Sequence, residues 1–362
     1  MRKLNKTKIV FIGLSGGVDS SVSAALLKKA GFDVRGVFIK VWQPNFWGGC
    51  TMKNDRLDAM RICARLNIPF YTLNLEKEYK KEVVDYMINE YKKGKTPNPD
   101  VMCNKYIKFG GFFDWAIKNG ANYVATGHYA RIQKLSKNRY QLKTGYDNNK
   151  DQSYFLWTLT QKQLSKTLFP IGNLIKPQVR KLAKKYGLQT AEKKDSQGLC
   201  FIGKVEMADF LKHFIKTRPG RVLNEKGNII GVHQGASLYT VGQRHGFTIT
   251  SGLCNGKRNF ITEKNISNNT ITVSDKIIKN NYRSKKETTL YNVNWTLDYP
   301  PNESDRYQAR IRYRGALDDC RIQILKENKC KVLFTKEQKA PAPGQSVVIY
   351  DNEICLGGGI IE

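Results

Sequence analysis

The run Ser15-Gly16-Gly17-Val18-Asp19-Ser20 sets hydroxyls, glycines and one carboxylate directly after an apolar stretch from Lys8 to Gly13. A strand that enters a Gly-Gly turn and then a helix points backbone N–H groups and a positive helix end at one spot, which suits a phosphate. The chemistry indicated is nucleotide binding, with a strand-to-helix turn rich in Gly and Ser as the plain alternative. The loop lacks the Gly-Lys-Ser/Thr ending of a P-loop and does not fit Gly-x-Gly-x-x-Gly. Two further segments carry sulfur. Thr96-Pro-Asn-Pro-Asp-Val-Met-Cys103-Asn-Lys105 reads as a helix start in which Asn98 is the cap and Pro99 the first helical residue. Cys103 then falls in the early turns, where the helix dipole and Lys105 favour a thiolate. Asp100, three residues earlier, can share a face with it and opposes that ionisation, so one role for this carboxylate is proton transfer rather than thiol activation. Cys200 lies between Gly198 and Gly203 in a segment with no helical period, where its sulfur has room to move. On local sequence alone, each cysteine fits a buried structural thiol as well.

Those residues need a frame to hold them. Through about residue 205, apolar strands alternate with periodic helices, which predicts a mainly parallel, doubly wound sheet covered on both faces. Strands are expected at Lys8–Gly13, Val34–Trp42, Phe70–Leu75 and Tyr123–Thr126. The helix from Val18 to Ala30 turns Val22, Ala25 and Leu26 inward and stops at Gly31, while one from Asn54 to Leu66 is expected to bury Leu57, Met60 and Ala64. Helices are also expected near 77–93 and 101–119. Ligands of such sheets bind at the carboxyl ends of the strands, which brings Ser15 to Ser20, Ile39 and Gly127 to one edge. From about 220 the texture changes to short β runs between Gly/Asn turns. A Lys/Asn-rich break at 276–288 precedes a last set of strands, including Tyr307–Arg314, Cys330–Phe334 and Gln345–Tyr350, sized for a small β-barrel. The domain boundaries expected are 1–208, 209–280 and 281–362.

A chain of 362 residues holds two or three domains at about 150 residues each. Lys and Arg number 61 against 31 Asp and Glu, a formal charge of +30 that attracts a polyanion at long range, nucleic acid above all. The abundance of Asn, Ile and Lys fits a compositional bias equally well. No run reaches the roughly eighteen apolar residues of a membrane helix, and the basic N-terminus has no apolar region of a signal peptide, so no membrane association is expected and the cytoplasm is the expected location. Eight cysteines, at 50, 63, 103, 200, 254, 320, 330 and 355, form no Cys-x-x-Cys pair, so neither a zinc ribbon nor an iron–sulfur site is indicated by spacing.

Taken in order, the Ser-Gly-Gly-Val-Asp-Ser loop, the Thr96 to Lys105 block, Ala125-Thr-Gly-His-Tyr, Lys150-Asp-Gln-Ser-Tyr-Phe-Leu, Lys176-Pro-Gln-Val-Arg-Lys, Asp195-Ser-Gln-Gly-Leu-Cys-Phe-Ile-Gly, Tyr239-Thr-Val-Gly-Gln-Arg and Cys355-Leu-Gly-Gly-Gly-Ile-Ile resemble the tRNA-specific 2-thiouridylases, a family of PP-loop ATP pyrophosphatases. The resemblance spans nearly the whole chain. It implies a Rossmann-like PP-loop domain, a small β-rich domain and a C-terminal β-barrel. It further implies that ATP, with Mg2+ near Asp19, adenylates O2 of the wobble uridine in a tRNA anticodon stem-loop. A persulfide sulfur then replaces that oxygen. Cys200 matches the persulfide-bearing cysteine, Cys103 the one that either releases the sulfur by forming a disulfide or assists its transfer, and Asp100 the proposed general acid/base. Gly13, Leu14, Ser15, Gly16, Gly17, Val18, Asp19, Ser20, Ile39 and Gly127 match the ATP site. Asn98, Pro99 and Asp100 match contacts to the target base, and His128, Lys150, Asp151, Gln152, Arg312, Tyr313 and Gln345 match further tRNA contacts. A sulfur-relay protein is the implied partner. The stretch Gln43 to Gly49 lacks the acidic residues common in the family, Ile39 stands where Met is frequent, and Arg258-Asn-Phe occupies the place of Pro-Trp-Tyr. Other ATP pyrophosphatases, such as tRNA lysidine synthetases or amidotransferase subunits, share the first loop but need no sulfur relay. A tRNA-binding protein without catalysis would need neither an intact loop nor two matched cysteines.

Overall fold

The computed structural model describes residues 7–44, 46, 52–135, 138–194, 200, 206–250, 259–275, 285–338 and 341–362. Gly198 and Gly203, Arg258, Cys50, Cys254 and most of 43–49 lie outside the described residues.

The first region is built on strands β1 (Ile9–Gly13), β2 (Asp33–Lys40), β3 (Phe70–Asn74), β4 (Tyr123–Ala125) and, later in the chain, Thr167–Leu168. They form one parallel sheet in the order β3-β2-β1-β4 with Thr167–Leu168 at the edge beyond β4. Alternation decides the two faces. Val10, Ile12, Val34 and Phe38 pack against helices α1 (Val18–Lys29) and α2 (Met52–Leu66), whereas Phe11, Val37 and Ile39 pack against the opposite layer. That layer holds two long helical rods with widened turns: α3 (Glu76–Tyr79, a π-helical stretch Lys80–Asp85, then Tyr86–Lys92) and α4 (Pro99–Met102, a π-helical stretch Cys103–Phe112, then Phe113–Lys118). Helix α5 (Lys176–Lys185) packs its Val179 and Ala183 with Val18, Val22 and Ala25 of α1. Helix α1 ends as expected, with Gly31 at φ +85°. In α2 the expectation fails: Leu57 and Met60 are exposed, and the buried side chains are Ala59, Ile62 and Cys63. Ala59 and Cys63 are small enough for the helix to lie close on Leu14 and Phe38, which selects that face over the one with larger apolar groups.

Five strands of 220–274 make a separate sheet in which Gly220–Leu223 pairs antiparallel with Ile229–His233 and parallel with Thr270–Ser274. The last region closes on itself. Strands Lys285–Trp295, Lys329–Gln338, Asp318–Leu325, Tyr307–Arg310, Ser346–Asp351 and Ile354–Ile361 follow one another around a six-stranded barrel, because Lys285–Trp295 also pairs with Ile354–Ile361. The closure needs Gly357, at φ +141°, where a Cβ would lie 2.1 Å from the Asn294 carbonyl oxygen. Barrel and first region interlock in a way sequence reading did not anticipate. A hairpin, Ala130–Lys134 with Tyr140–Thr144, extends the barrel sheet through the pairs Ile354 with Lys143 and Cys355 with Leu142. The strand expected over Tyr307–Arg314 stops at Arg310, so Arg312 and Tyr313 lie in a turn, with Arg314 at φ +59°.

Candidate active site

Two clusters lie at the carboxyl edge of the parallel sheet, beside the place where β1 has β2 on one side and β4 on the other. In the loop after β1, the Ser15 and Ser20 hydroxyls are 3.3 Å apart, and the Ser20 hydroxyl accepts from the Ser15 N–H and donates to the Gly17 carbonyl. Helix α1 begins at Gly17 without a side-chain cap, which leaves its positive end to a ligand. Backbone crowding sets the glycines. A Cβ on Gly16, at φ +72°, would sit 2.5 Å from the Asp55 carbonyl oxygen, and one on Gly127 would sit 2.6 Å from the Ser20 nitrogen. Leu14 and Ile39 are buried beneath the loop, and the Leu14 N–H donates to the Val37 carbonyl. Asp19 is engaged: Lys176 Nζ reaches both carboxylate oxygens at 2.8 Å, and the Tyr129 hydroxyl donates to Oδ1 at 2.8 Å.

The second cluster assembles from segments far apart in sequence. Cys103 and Cys200, 97 positions apart, bring their sulfurs to 3.5 Å. The Cys200 N–H donates to Asp100 Oδ1 at 3.1 Å, and its carbonyl accepts from the Tyr79 hydroxyl of α3 at 2.7 Å. Asn98 caps α4 as its sequence indicates, accepting from the Val101 N–H. The loop before it is held from two sides. The Thr96 N–H donates to the Pro343 carbonyl, its hydroxyl bonds Thr240 across 144 positions, and Gln345 Nε2 donates to the Thr96 and Pro97 carbonyls. All three regions of the chain therefore converge on the turn that presents Asp100 and Cys103.

Electrostatics in this cluster reverse one expectation. Cys103 is fully buried, and desolvation drives its thiol well up, so it is a proton-bearing group rather than a helix-start thiolate. Cys200 moves down, chiefly because the Cys103 thiol donates to it and secondarily because of the Lys108 ammonium. Burial also raises Asp100, opposed by its bond from Cys200 N–H and by Lys108. The cation credited from sequence, Lys105, is exposed and lies over the Tyr106 ring, whereas Lys108 faces inward. The reason is the π-helical stretch: its i to i+5 closure brings Lys108 round to Cys103, which α-helical spacing does not. Lys108 Nζ lies 3.4 Å from His128 Nε2, and His128 Nδ1 lies 2.7 Å from the Thr126 hydroxyl. The end of β4 thus touches both clusters, Gly127 against Ser20 and His128 against Lys108.

Several residues matched to tRNA contacts take other positions. Asp151 is buried, accepting from the Gly145 N–H, the Ser153 N–H and the Ser153 hydroxyl, with Arg310 at 3.7 Å, so it organises the strand junction and is not presented to a ligand. His128 is also buried, packed between Phe109 and Phe169. Gln152 accepts from the Tyr129 N–H. Tyr313 packs on Phe155 with ring centres 4.4 Å apart, while Arg312 beside it is exposed. Pro99 and Lys150 are half-buried. Sequence reading missed Lys108 and Tyr79, which carry no local signal. Lys176 stands out in the sequence only as part of the Lys176-Pro-Gln-Val-Arg-Lys block. The remaining described cysteines, 63, 320, 330 and 355, are buried free thiols in packed cores.

Family models described as the tRNA methyl transferase HUP domain, the tRNA methyl transferase PRC-barrel domain and the aminomethyltransferase β-barrel domain match residues 8–204, 208–275 and 285–361. The tRNA-specific 2-thiouridylases MnmA of Bacillus cytotoxicus and Bacillus anthracis are each 45% identical over 363 residues, covering 100% of this chain and 96% of theirs. Among solved structures, the U34-tRNA thiolase NcsA from Methanococcus maripaludis is 18% identical over 53% of this chain and 60% of its own, with a TM-score of 0.35. NMN synthetase from Francisella tularensis is 19% identical over 53% and 67%, with a TM-score of 0.32. Likeness at that level decides nothing about function, and whole-chain relatives outweigh domain descriptions that speak of methyl transfer. With 45% identity sustained from end to end, this chain belongs to the tRNA-specific 2-thiouridylase family.

Proposed function

We propose that this chain replaces O2 of the wobble uridine in a tRNA anticodon loop with sulfur, consuming ATP and a persulfide. The observation that carries the reading is the approach of Cys103 and Cys200 to 3.5 Å beside Asp100, at the sheet edge that also carries the Ser15–Ser20 loop. Residues 1–208 are taken as the catalytic region, 209–280 as a small β-rich domain and 281–362 as a tRNA-binding barrel.

Gly16, Gly17 and Gly127 form a cradle that a Cβ would fill, and with the Ser15 and Ser20 hydroxyls and the α1 N-terminus they suit a pyrophosphate group. Asp19 would hold Mg2+ by exchanging its ion pair with Lys176, and the ion, which takes one or two carboxylates with phosphate and water, would neutralise phosphate charge there. Uridine O2 bonds to the α-phosphorus as pyrophosphate leaves, turning that oxygen into part of an AMP leaving group. The outer sulfur of a Cys200 persulfide then bonds to C2, and AMP departs with the oxygen. Cys103 attacks the Cys200 sulfur, so a Cys103–Cys200 disulfide forms while the outer sulfur stays on C2 with the electron pair of the broken S–S bond. An external thiol reductant restores both cysteines. Asp100, its carboxyl raised by burial, is suited to exchange a proton with the base. Asn98 and Pro99 flank the base, and Arg312 with Lys150 meets the backbone.

A relay protein bearing a persulfide supplies the sulfur, and the reaction is assigned to the cytoplasm. Among the described residues no helix is long and apolar enough to cross a membrane. The test is reconstitution: purified chain, ATP, Mg2+, a persulfide donor and unmodified tRNA, with nucleosides read by mass spectrometry. Formation of 2-thiouridine dependent on ATP is expected. Its absence with a donor that loads Cys200 would overturn the reading.

A further inference from the structure

An ammonium drawn out of water needs compensating partners. Lys108 is half-buried on the inner side of α4 with its Nζ 3.4 Å from His128 Nε2, and the π-helical closure turns it towards Cys103, whose sulfur lies 3.5 Å from that of Cys200 beside the Asp100 carboxyl. Their combined negative character outweighs burial and keeps the ammonium protonated, its pKa raised above the ordinary lysine value. We propose that Lys108 is a catalytic residue whose ammonium holds Cys200 as an anion, the thiolate before sulfur loading and the persulfide after it.

Among the described residues, the other groups facing Cys200 do not supply that charge. Asp100 lies against the Cys200 N–H, and its negative charge opposes an anionic sulfur. Tyr79 donates to the Cys200 carbonyl. His128 is held neutral by its burial and by Lys108 itself, so its Nε2 accepts from Lys108 rather than adding a cation. Cys103 contributes one S–H donor, which stabilises a neighbouring sulfur anion, yet that donor is lost once Cys103 itself reacts. Positive charge among the described residues therefore comes from α4, five positions beyond Cys103. In loading, the Cys200 thiolate attacks the outer sulfur of a donor persulfide; one S–S bond forms as the donor's breaks, and the donor leaves as a thiolate. Negative charge stays on Cys200's new outer sulfur, where the same ammonium stabilises it.

This role rests on the thiolation reading only for its use, since the charge on Cys200 is a property of the protein without substrates. The experiment measures alkylation of the full-length reduced protein by iodoacetamide across pH 5–10, with the label on Cys200 quantified by peptide mass mapping. Lys108→Met and Lys108→Gln remove the charge and keep most of the length; Lys108→Arg keeps the charge. For each unit that the Cys200 midpoint rises, alkylation at neutral pH falls by about tenfold. The expected result is a midpoint raised by about a unit or more in both neutral variants, with substantial recovery in Lys108→Arg. Circular dichroism and thermal melting establish that each variant is folded, and the Gln variant serves where Met does not fold. An unchanged midpoint in a folded neutral variant would overturn the proposal, as would equal loss in Lys108→Arg, which would assign Lys108 to packing. A shifted midpoint in a protein that fails to thiolate tRNA would leave the Lys108 assignment standing and sink the proposed function instead.

Discussion

The phosphate-type loop and the thiol pair share one sheet edge and differ in how sequence specifies them. Hydrogen bonds inside the loop join groups no more than five positions apart, such as Ser15 with Ser20 and Ser20 with Gly17, even though Asp55, Gly127 and Lys176 close in on it from farther along the chain. The thiol site joins Asp100, Cys103, Lys108, His128 and Cys200, and its supporting turn is tied by Thr96 to Thr240 and Pro343. Local rules therefore anticipate the strand, turn and helix of the first site and misjudge the direction of the Cys103 shift in the second. A helix dipole favours an anion by about 0.3–2 kcal/mol, whereas each pKa unit of desolvation costs about 1.4 kcal/mol and full burial amounts to several units. Burial wins at Cys103.

The largest test of that contrast lies in the sulfur chemistry. Cys103→Ser and Cys200→Ser are each expected to abolish thiolation, because a hydroxyl neither carries nor resolves a persulfide. Cys320→Ala, in the barrel core, should keep activity at a modest cost in stability. Quantified 2-thiouridine from tRNA incubated with each variant decides it; sustained turnover by either serine variant would remove the relay. Next, Gly127→Ala probes whether the two clusters are separable. The new methyl would meet the Ser20 nitrogen at 2.6 Å, so tRNA-stimulated release of pyrophosphate is expected to vanish while Cys200 alkylation persists. Joint loss would show that the end of β4 transmits strain from one cluster to the other.

How much was legible follows the same division. The parallel sheet, the Asn98 cap and the glycine stop at Gly31 rest on nearby residues, and they stand as read. The inward face of α2 was misread because apolar periodicity favours Leu57 and Met60 over the small pair Ala59 and Cys63 that close packing selects. Lys108 was invisible because a π-helical stretch changes which residues share a face. The hairpin donated to the barrel depends on pairs over 200 positions apart, such as Cys355 with Leu142, for which no local pattern exists.

Asp100→Asn sharpens the thiol side alone. The amide keeps an acceptor for the Cys200 N–H but exchanges no proton at neutral pH, so single-turnover thiolation with preloaded Cys200 should slow by about a hundredfold to ten-thousandfold. Stability moves the other way. Because the folded carboxyl is raised above its ordinary value, its contribution is full at low pH and is lost as pH rises through the folded pKa. Asn removes that loss, so the variant should melt higher than the parent at pH 7, with the gap closing as pH falls below the ordinary carboxylate range. A near-parental rate would move proton transfer elsewhere; a pH-independent gap would show that the carboxyl is not raised.

The smallest expected effect concerns the barrel side, where Arg312 and Asp151 were matched to the same kind of contact and the structure separates them. Arg312 is exposed on its turn, whereas Asp151 is buried under four polar contacts. Removing one cation that pairs with a phosphate in a wet interface lowers affinity by a few-fold and flattens the plot of log affinity against log salt by about 0.9, or about 0.7 on single-stranded RNA. Arg312→Ala should do this with a smaller loss of melting temperature than Asp151→Asn. Asp151→Asn should instead lower the melting temperature, since it leaves Arg310 without its carboxylate and puts an amide donor among buried N–H donors, while the salt slope of the folded fraction stays parental. Fluorescence anisotropy with an anticodon stem-loop from about 50 to 200 mM salt reads both quantities. If Asp151→Asn flattens the slope and Arg312→Ala does not, the buried carboxylate governs RNA contact, and the division between a structural and a presented residue fails.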